Sequence, residues 1–262
     1  MKQVLKDIVF IIVTIFILLV VAYTCGTSVA KANIIKIAII DTGFNYKYKD
    51  KVNFCKTGHK DFTGTGLQDN HGHGTHIAGL IAKNAKSNYC VMILKSYDPA
   101  TGGNINNSAN AIEWAITQKV DIINYSGGGL TPSIRERRAV LKALDAGIVI
   151  VAAAGNERAD LSHTAYYPAS YDKREIVVGN LSKNGHRAPS SSFGGPTDLM
   201  VVGTNIKSIN GIMTGTSQST AIVTGIIAKQ LYTRKVLLHN LEIFGPITTD
   251  NYFFEYYQYV AQ

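Results

Sequence analysis

The sequence predicts an α/β fold with a mostly parallel central sheet and helices on both of its faces. Two observations carry that prediction. Short apolar, β-branched runs recur along the chain without polar alternation, as expected of strands buried on both faces. Between them lie amphipathic stretches long enough to cross back over a sheet, with Gly or Pro at several junctions. A third observation bounds the answer: 262 residues, 46% of them hydrophobic, suit one sizeable domain.

The elements follow in order. Residues 34–40 (Ile-Ile-Lys-Ile-Ala-Ile-Ile) read as a buried parallel strand. Residues 73–86 read as a helix, with Ile77, Ala78 and Ile81 on one face, and 91–94 as the next strand. Residues 107–119 are helical, because Ile112, Trp114, Ala115 and Ile116 are spaced for burial; 120–125 is a strand. Residues 132–146 form a helix, with Pro132 suited to its first turn and Gly147 to its end. Strands are expected at 147–154 and 175–178, and a long apolar helix at 216–232. No internal repeat, low-complexity tract or linker interrupts the pattern.

The N-terminus differs in character. Lys2 and Lys6 precede an apolar run at 8–22, and small residues follow, including Ser28-Val29-Ala30 and Ala30-Lys31-Ala32. A basic start, an apolar middle and an Ala-x-Ala pattern describe a signal peptide; an uncleaved membrane anchor is the rival. Residues 1–32 are therefore expected to engage the membrane or the export machinery, placing a domain at 33–262 outside the cytoplasm. Of the three cysteines, cleavage would remove Cys25, leaving Cys55 and Cys90. Two cysteines in an exported domain are expected to pair rather than remain buried thiols. The formal charge of +8 is spread over singly placed lysines, with no basic run of the kind that tracks phosphates, so no nucleic-acid partner is expected.

Three segments carry chemistry: Ile39-Ile40-Asp41-Thr42-Gly43, then His73-Gly74-Thr75-His76-Ile77-Ala78-Gly79, then Gly215-Thr216-Ser217-Gln218-Ser219. A serine hydroxyl is a weak nucleophile near neutral pH. It needs an imidazole to take its proton and a carboxylate to hold that imidazole in the right tautomer. Each segment lies where a strand ends or a helix begins, and parallel sheets gather their sites at the carboxyl ends of strands. Taken singly the signals are ambiguous. Ser217 also suits a helix N-cap, Asn156 suits a turn, His71 and His76 compete with His73, and Asp61 and Asp69 compete with Asp41. Histidines at this spacing also bind metal, but no third ligand is evident.

The chain order Asp, His, Ser resembles that of the subtilisin-like serine proteases. Two further segments are similar to theirs: residues 149–157 (Val-Ile-Val-Ala-Ala-Ala-Gly-Asn-Glu) and 122–129 (Ile-Ile-Asn-Tyr-Ser-Gly-Gly-Gly). The resemblance covers about residues 35–230. It implies the three-layer subtilisin-like fold and a serine endopeptidase working through an acyl-enzyme on Ser217. His73 would be the base, Asp41 its partner, and Asn156 with the Ser217 N–H the oxyanion hole. Ser126, Gly127 and Gly128 would form one wall of the substrate groove and residues 96–103 the other. The residue before the family's Tyr-Pro pair floors the pocket for the side chain preceding the cut. Here it is Tyr166, before Tyr167-Pro168, so a preference for small side chains such as Ala or Gly is expected. Peptide or protein substrates, no cofactor, no metal and a monomer complete the expectation.

Three departures stand out. Only residues 23–33 separate the apolar run from the first strand, too few for the folding-assistant segment common in secreted members. The calcium-binding insertion many relatives carry near the histidine helix is missing, and no acid-rich loop replaces it. After the serine the family's Met-Ala-(Ser/Thr)-Pro-His is replaced by Gln218-Ser219-Thr220-Ala221-Ile222, which changes packing without removing a catalytic group. An aromatic-rich tail at 251–260 is expected to pack over the core.

Overall fold

The computed structural model describes residues 34–242, with side chains to residue 234. The signal or anchor expected at 1–32 and the aromatic tail at 251–260 lie outside the described residues. Strand β1 is Ile35–Asp41 and β2 Lys60–Asp61; helix α1 is His73–Ala85 and strand β3 Tyr89–Lys95. The short strands β4 (Tyr97–Asp98) and β5 (Gly102–Gly103) precede helix α2 (Ile105–Thr117), strand β6 (Ile122–Tyr125) and helix α3 (Ile134–Asp145). Then come β7 (Val149–Ala153), β8 (Ile176–Leu181), β9 (Thr197–Val202), β10 (Ile206–Ser208), β11 (Gly211–Met213) and helix α4 (Thr216–Glu242). Seven strands form one sheet in the order β2-β3-β1-β6-β7-β8-β9, and every pairing is parallel.

The apolar run in β1 is explained by burial on both faces. Ile35, Ile37 and Ile39 join a core with Ile77, Ala78 and Ile81 of α1 and Ala221, Val223 and Ala228 of α4. Ala38 and Ile40, pointing the other way, join a second core with Ala109, Ile112 and Ala115 of α2 and Ala139, Val140 and Ala143 of α3. The result is the expected three layers, helix over sheet over helix. None of the described helices is long and apolar enough to cross a membrane.

Several boundaries differ from expectation. Ser133, not Pro132, starts α3: its extended backbone lets the hydroxyl accept from Glu136 N, so Pro132 stays outside the helix. Helix α4 continues to Glu242, and Leu231 and Tyr232 pack against the first core. Strand β9 and the hairpin β10–β11 carry no clear pattern in the sequence, since they are short and only half-buried. Cys55 and Cys90 sit with their sulfurs 2.04 Å apart and their Cα atoms 4.8 Å apart, joining the segment before β2 to β3.

Beneath the α3 side of the sheet lies a buried acidic group. Glu136 accepts from the hydroxyls of Tyr125 (2.8 Å) and Tyr171 (2.9 Å). Glu175 is less well served: it is 2% exposed, Oε1 accepts from Asp172 N, and Oε2 has no partner. Burial, reinforced by the nearby charges of Asp172 and Glu136, pushes the Glu175 carboxyl up from its ordinary 4.5 to about 9. The folded state thus holds a proton that the unfolded chain releases. The associated stability is complete below the unfolded value and is lost as pH rises toward the folded one. Glu175→Gln is expected to raise stability at pH 8 by on the order of 2 kcal/mol and to flatten the fall between pH 5 and 9. Thermal melts of both proteins across that range test this; parallel curves would refute it.

Candidate active site

Asp41 ends β1, at the carboxyl edge of the sheet, and His73 opens α1. The His73 Nδ1–H donates to the Asp41 carboxylate, at 2.8 Å from Oδ1 and 3.0 Å from Oδ2. Gly74 makes this approach possible: a Cβ there would collide with the Gly43 carbonyl oxygen and crowd Asp41 Oδ1. The contact is held from below by Asp69. That carboxylate, 3% exposed, accepts from Thr42 Oγ1 (2.9 Å), His71 N (3.0 Å), Gly72 N (2.7 Å), Thr75 N (2.9 Å) and Thr75 Oγ1 (2.6 Å). Thr42 Oγ1 in turn accepts from Gly74 N at 2.8 Å. Asp69 therefore satisfies the free N–H groups at the start of α1 and ties them to the turn after Asp41. It is a positioning group, not the histidine's partner. The signal in the sequence was an aspartate a few residues ahead of a helix, the usual place for a cap.

His73 and His76 lie one turn apart in opposite environments. Burial pulls the His73 imidazole down, but the Asp41 charge and hydrogen bond, helped by Asp69, outweigh it and the net shift is upward. His76 has no carboxylate. Its Nε2–H donates to the Ile206 carbonyl at 3.1 Å, its Nδ1 has no partner, and burial drives it down, keeping it neutral. The hairpin β10–β11 grips the helix here: Ser208 Oγ donates to His76 O (2.7 Å) and Asn210 Nδ2 to Gly72 O (2.7 Å). His76 is thus a brace of the fold, and of the two only His73 meets a carboxylate. Among the described residues no three His, Cys, Asp or Glu side chains gather as a metal site.

Ser217 occupies the first turn of α4, largely buried. Its hydroxyl donates to the Ser126 carbonyl at 2.8 Å, and Ser126 Oγ donates back to the Ser217 carbonyl at 3.1 Å. Among the described residues no hydrogen bond joins Ser217 to His73. The exchange locks the segment after β6 against the helix that bears the serine. Asn156 follows β7 and is exposed; its Oδ1 accepts from Thr216 N at 3.1 Å, which leaves Nδ2 available beside the serine. Gln218 is buried, 1% exposed, and its Nε2 has no partner.

Two segments were expected to wall a substrate groove. Residues 126–129 follow β6, and Gly129 exchanges backbone hydrogen bonds with Tyr167 at 2.9 and 2.8 Å. The hairpin β4–β5 covers most of the other expected wall, residues 96–103. A buried ammonium supports it: Lys95 Nζ lies 2.6 Å from Asp98 Oδ2 and donates to Gln68 O at 2.7 Å. The Lys95 hydrogen bond, with those from Ala100 and Thr65, lowers Asp98 to about 2. Tyr166 is buried, with its ring between the two glycine edges: a Cβ on Gly128 would meet Cε1 at 2.6 Å, and one on Gly155 would meet Cε2 at 2.9 Å. Burial and the Glu157 charge push its phenol up, so the ring is a neutral filler.

An aspartate-held imidazole and a serine at a helix N-terminus, at the carboxyl ends of a parallel sheet, are the parts of a triad hydrolase. The chain belongs to the subtilase family, whose model (Peptidase_S8) matches residues 32–238. It is 36% identical over 214 residues to Subtilisin NAT of Bacillus subtilis subsp. natto, covering 74% of this chain and 54% of that protein. The chain thus spans about half the length of that relative. Subtilisin of Bacillus pumilus is also 36% identical, over 211 residues, covering 74% of this chain and 75% of that protein. Among solved structures, a cold adapted subtilisin-like serine proteinase superposes with a TM-score of 0.67 at 26% identity, over 79% of this chain and 78% of that one.

Proposed function

We propose that this chain is a serine endopeptidase that cleaves extended segments of peptide or protein substrates. The observation carrying the reading is the Asp41–His73 hydrogen bond at the sheet edge that also receives the first turn of α4. With Nδ1–H committed to Asp41, the Nε2 lone pair of His73 is free for a proton. The Ser217 hydroxyl leaves the Ser126 carbonyl, a rotation costing about one net hydrogen bond, roughly 1 kcal/mol. It then gives its proton to His73 Nε2 as Oγ bonds to the scissile carbonyl carbon. The oxygen of that carbonyl becomes an anion held by the Ser217 N–H and Asn156 Nδ2. Collapse breaks the C–N bond, and His73 returns the proton to the departing amine. Water then repeats the sequence on the ester: His73 takes its proton as its oxygen bonds to the carbonyl carbon, the acyl C–O bond to Ser217 Oγ breaks, and His73 returns the proton to Oγ.

Export, by cleavage or anchoring of residues 1–32, and action as a monomer belong to the same proposal. Export is supported by the basic, apolar and small-residue order of that segment. So does a Cys55–Cys90 cystine, supported by the sulfur separation and by an oxidising destination.

A fluorophosphonate probe tests the reading on the full chain. Labelling of the wild type and not of Ser217→Ala is the expected result. Folded wild type that takes no label would overturn it. The Ser217 hydroxyl bonded to Ser126 would then be the resting state of a protein that holds peptides without cutting them.

Substrate preference follows from Tyr166. Its ring fills the space between Gly128 and Gly155, so small side chains are favoured before the cut. Tyr166→Gly should raise kcat/KM for peptides with Phe or Leu at that position by about 10–100-fold, in line with one to three kcal/mol for pocket shape. Unchanged ratios against an Ala substrate would show that the ring does not set preference.

A further inference from the structure

The lysines that stand singly in the sequence do not stand singly in the fold. A cavity of about 420 Å³ lies beside the C-terminal half of α1. Lys51, Lys83, Lys86 and Lys207 line it, against one carboxylate, Asp50. They arrive from three separate places: a 3-10 turn at Tyr46–Lys51, the end of α1 with its C-cap, and β10. Among the described residues none of the four ammonium groups has an ion pair or a hydrogen-bond acceptor. The carbonyl end of α1 adds only about half a negative charge, which does not offset four full positive ones.

The walls are built rather than incidental. A Cβ on Gly79 would overlap Ser208 Oγ and the Ile209 side chain, so the hairpin presses directly on the helix. Tyr89, 5% exposed, also lines the cavity. Its hydroxyl accepts from Asn53 N at 3.4 Å and donates to no described residue, leaving a buried O–H donor in a basic pocket. Burial pushes that phenol up, which keeps the donor protonated. Like charges bordering one concavity repel each other and raise the positive potential over it. A ligand that neutralises them gains on both counts.

We infer that this cavity binds a small soluble anion carrying several phosphate groups, a compact polyphosphate. Its volume falls in the range of about 300–1,000 Å³ typical of small-molecule sites. The four exposed lysines border one concavity of a size that suits a single small ligand. The site is independent of the proposed peptidase reaction, although α1 and the hairpin that form it also hold His73 and His76.

The test is thermal melting of the full chain carrying Ser217→Ala, which blocks self-digestion, titrated with sodium tripolyphosphate at constant ionic strength. A rise in Tm of about 5 °C at saturation is expected, with inorganic phosphate giving much less. Lys83→Gln with Lys207→Gln should weaken the apparent Kd at least tenfold. If the double variant does not fold, each single variant supplies the same comparison with a smaller loss. No shift with tripolyphosphate, or an equal shift in the lysine variants, would overturn the proposal. An equal response to matched inorganic phosphate would overturn it as well, by showing ionic screening rather than a site for clustered phosphates.

Discussion

Asp41→Asn is expected to lower kcat by about 10⁴-fold while leaving KM nearly unchanged. The substitution is close to isosteric, and an amide oxygen can still accept from Thr42 N, as Asp41 Oδ1 does at 2.7 Å. What changes is the group facing His73 Nδ1. A carboxylate only accepts and so fixes the proton on Nδ1; an amide that turns its NH₂ toward the ring fixes it on Nε2. In that tautomer the ring has no lone pair for Ser217. The lost charge adds a second effect. Asp41 outweighs the burial that pulls His73 down, so its removal should move the acid limb of the residual activity to lower pH. Steady-state rates on a peptide amide from pH 5 to 10 read both effects. A drop below about tenfold would remove Asp41 from the role.

Asp69→Ala should cost roughly 3–4 kcal/mol of stability, because several buried donors lose one acceptor together. For a domain this size that is a fall in Tm of about 10 °C. The loss should extend to the chemistry. Without Asp69 the turn bearing Thr42 is no longer tied to His71, Gly72 and Thr75, and His73 loses the frame that aims it at Asp41. A positioning role predicts that kcat falls below what the folded fraction explains, at temperatures well under the new Tm. Asp69→Asn, which keeps an acceptor oxygen, should recover part of both. Activity that tracks only the folded fraction would reduce Asp69 to a helix cap.

The central sheet was legible because burial on both faces leaves a simple record. The odd and even residues of β1 meet different cores, so the whole run from 35 to 40 is apolar apart from Lys36, whose Nζ reaches the Gln118 carbonyl. Helix α2 was legible for the complementary reason, a single buried stripe, whereas α1 is buried on all sides from Gly74 to Ile81 and reads as a largely apolar run of small and aliphatic residues. Strand β9 and the hairpin β10–β11 left no such record. Their side chains are half-buried or exposed, and backbone pairing rather than an apolar pattern holds them in place. The start of α3 was misplaced because Pro132 and Ser133 both suit a helix entry, and only the backbone conformation at Ser133 decides between them.

The candidate site divides along the same line. Asp41, His73, Ser217 and Asn156 are proposed from short segments, because each lies near a strand end or helix start where local residue choice is narrow. The sequence by itself determined those residues, the alternation that builds a parallel sheet, and a tyrosine where a pocket floor is expected. Only the tertiary structure decided that Asp69 caps α1 while Asp41 meets the imidazole, and that the Ser217 hydroxyl rests on Ser126. It alone gathered Lys51, Lys83, Lys86 and Lys207 around one cavity. The reason is distance along the chain. A strand or a helix is written in neighbouring residues, whereas these contacts join segments tens of residues apart. They come into existence only when the register of the sheet and the packing of its helices bring those segments together.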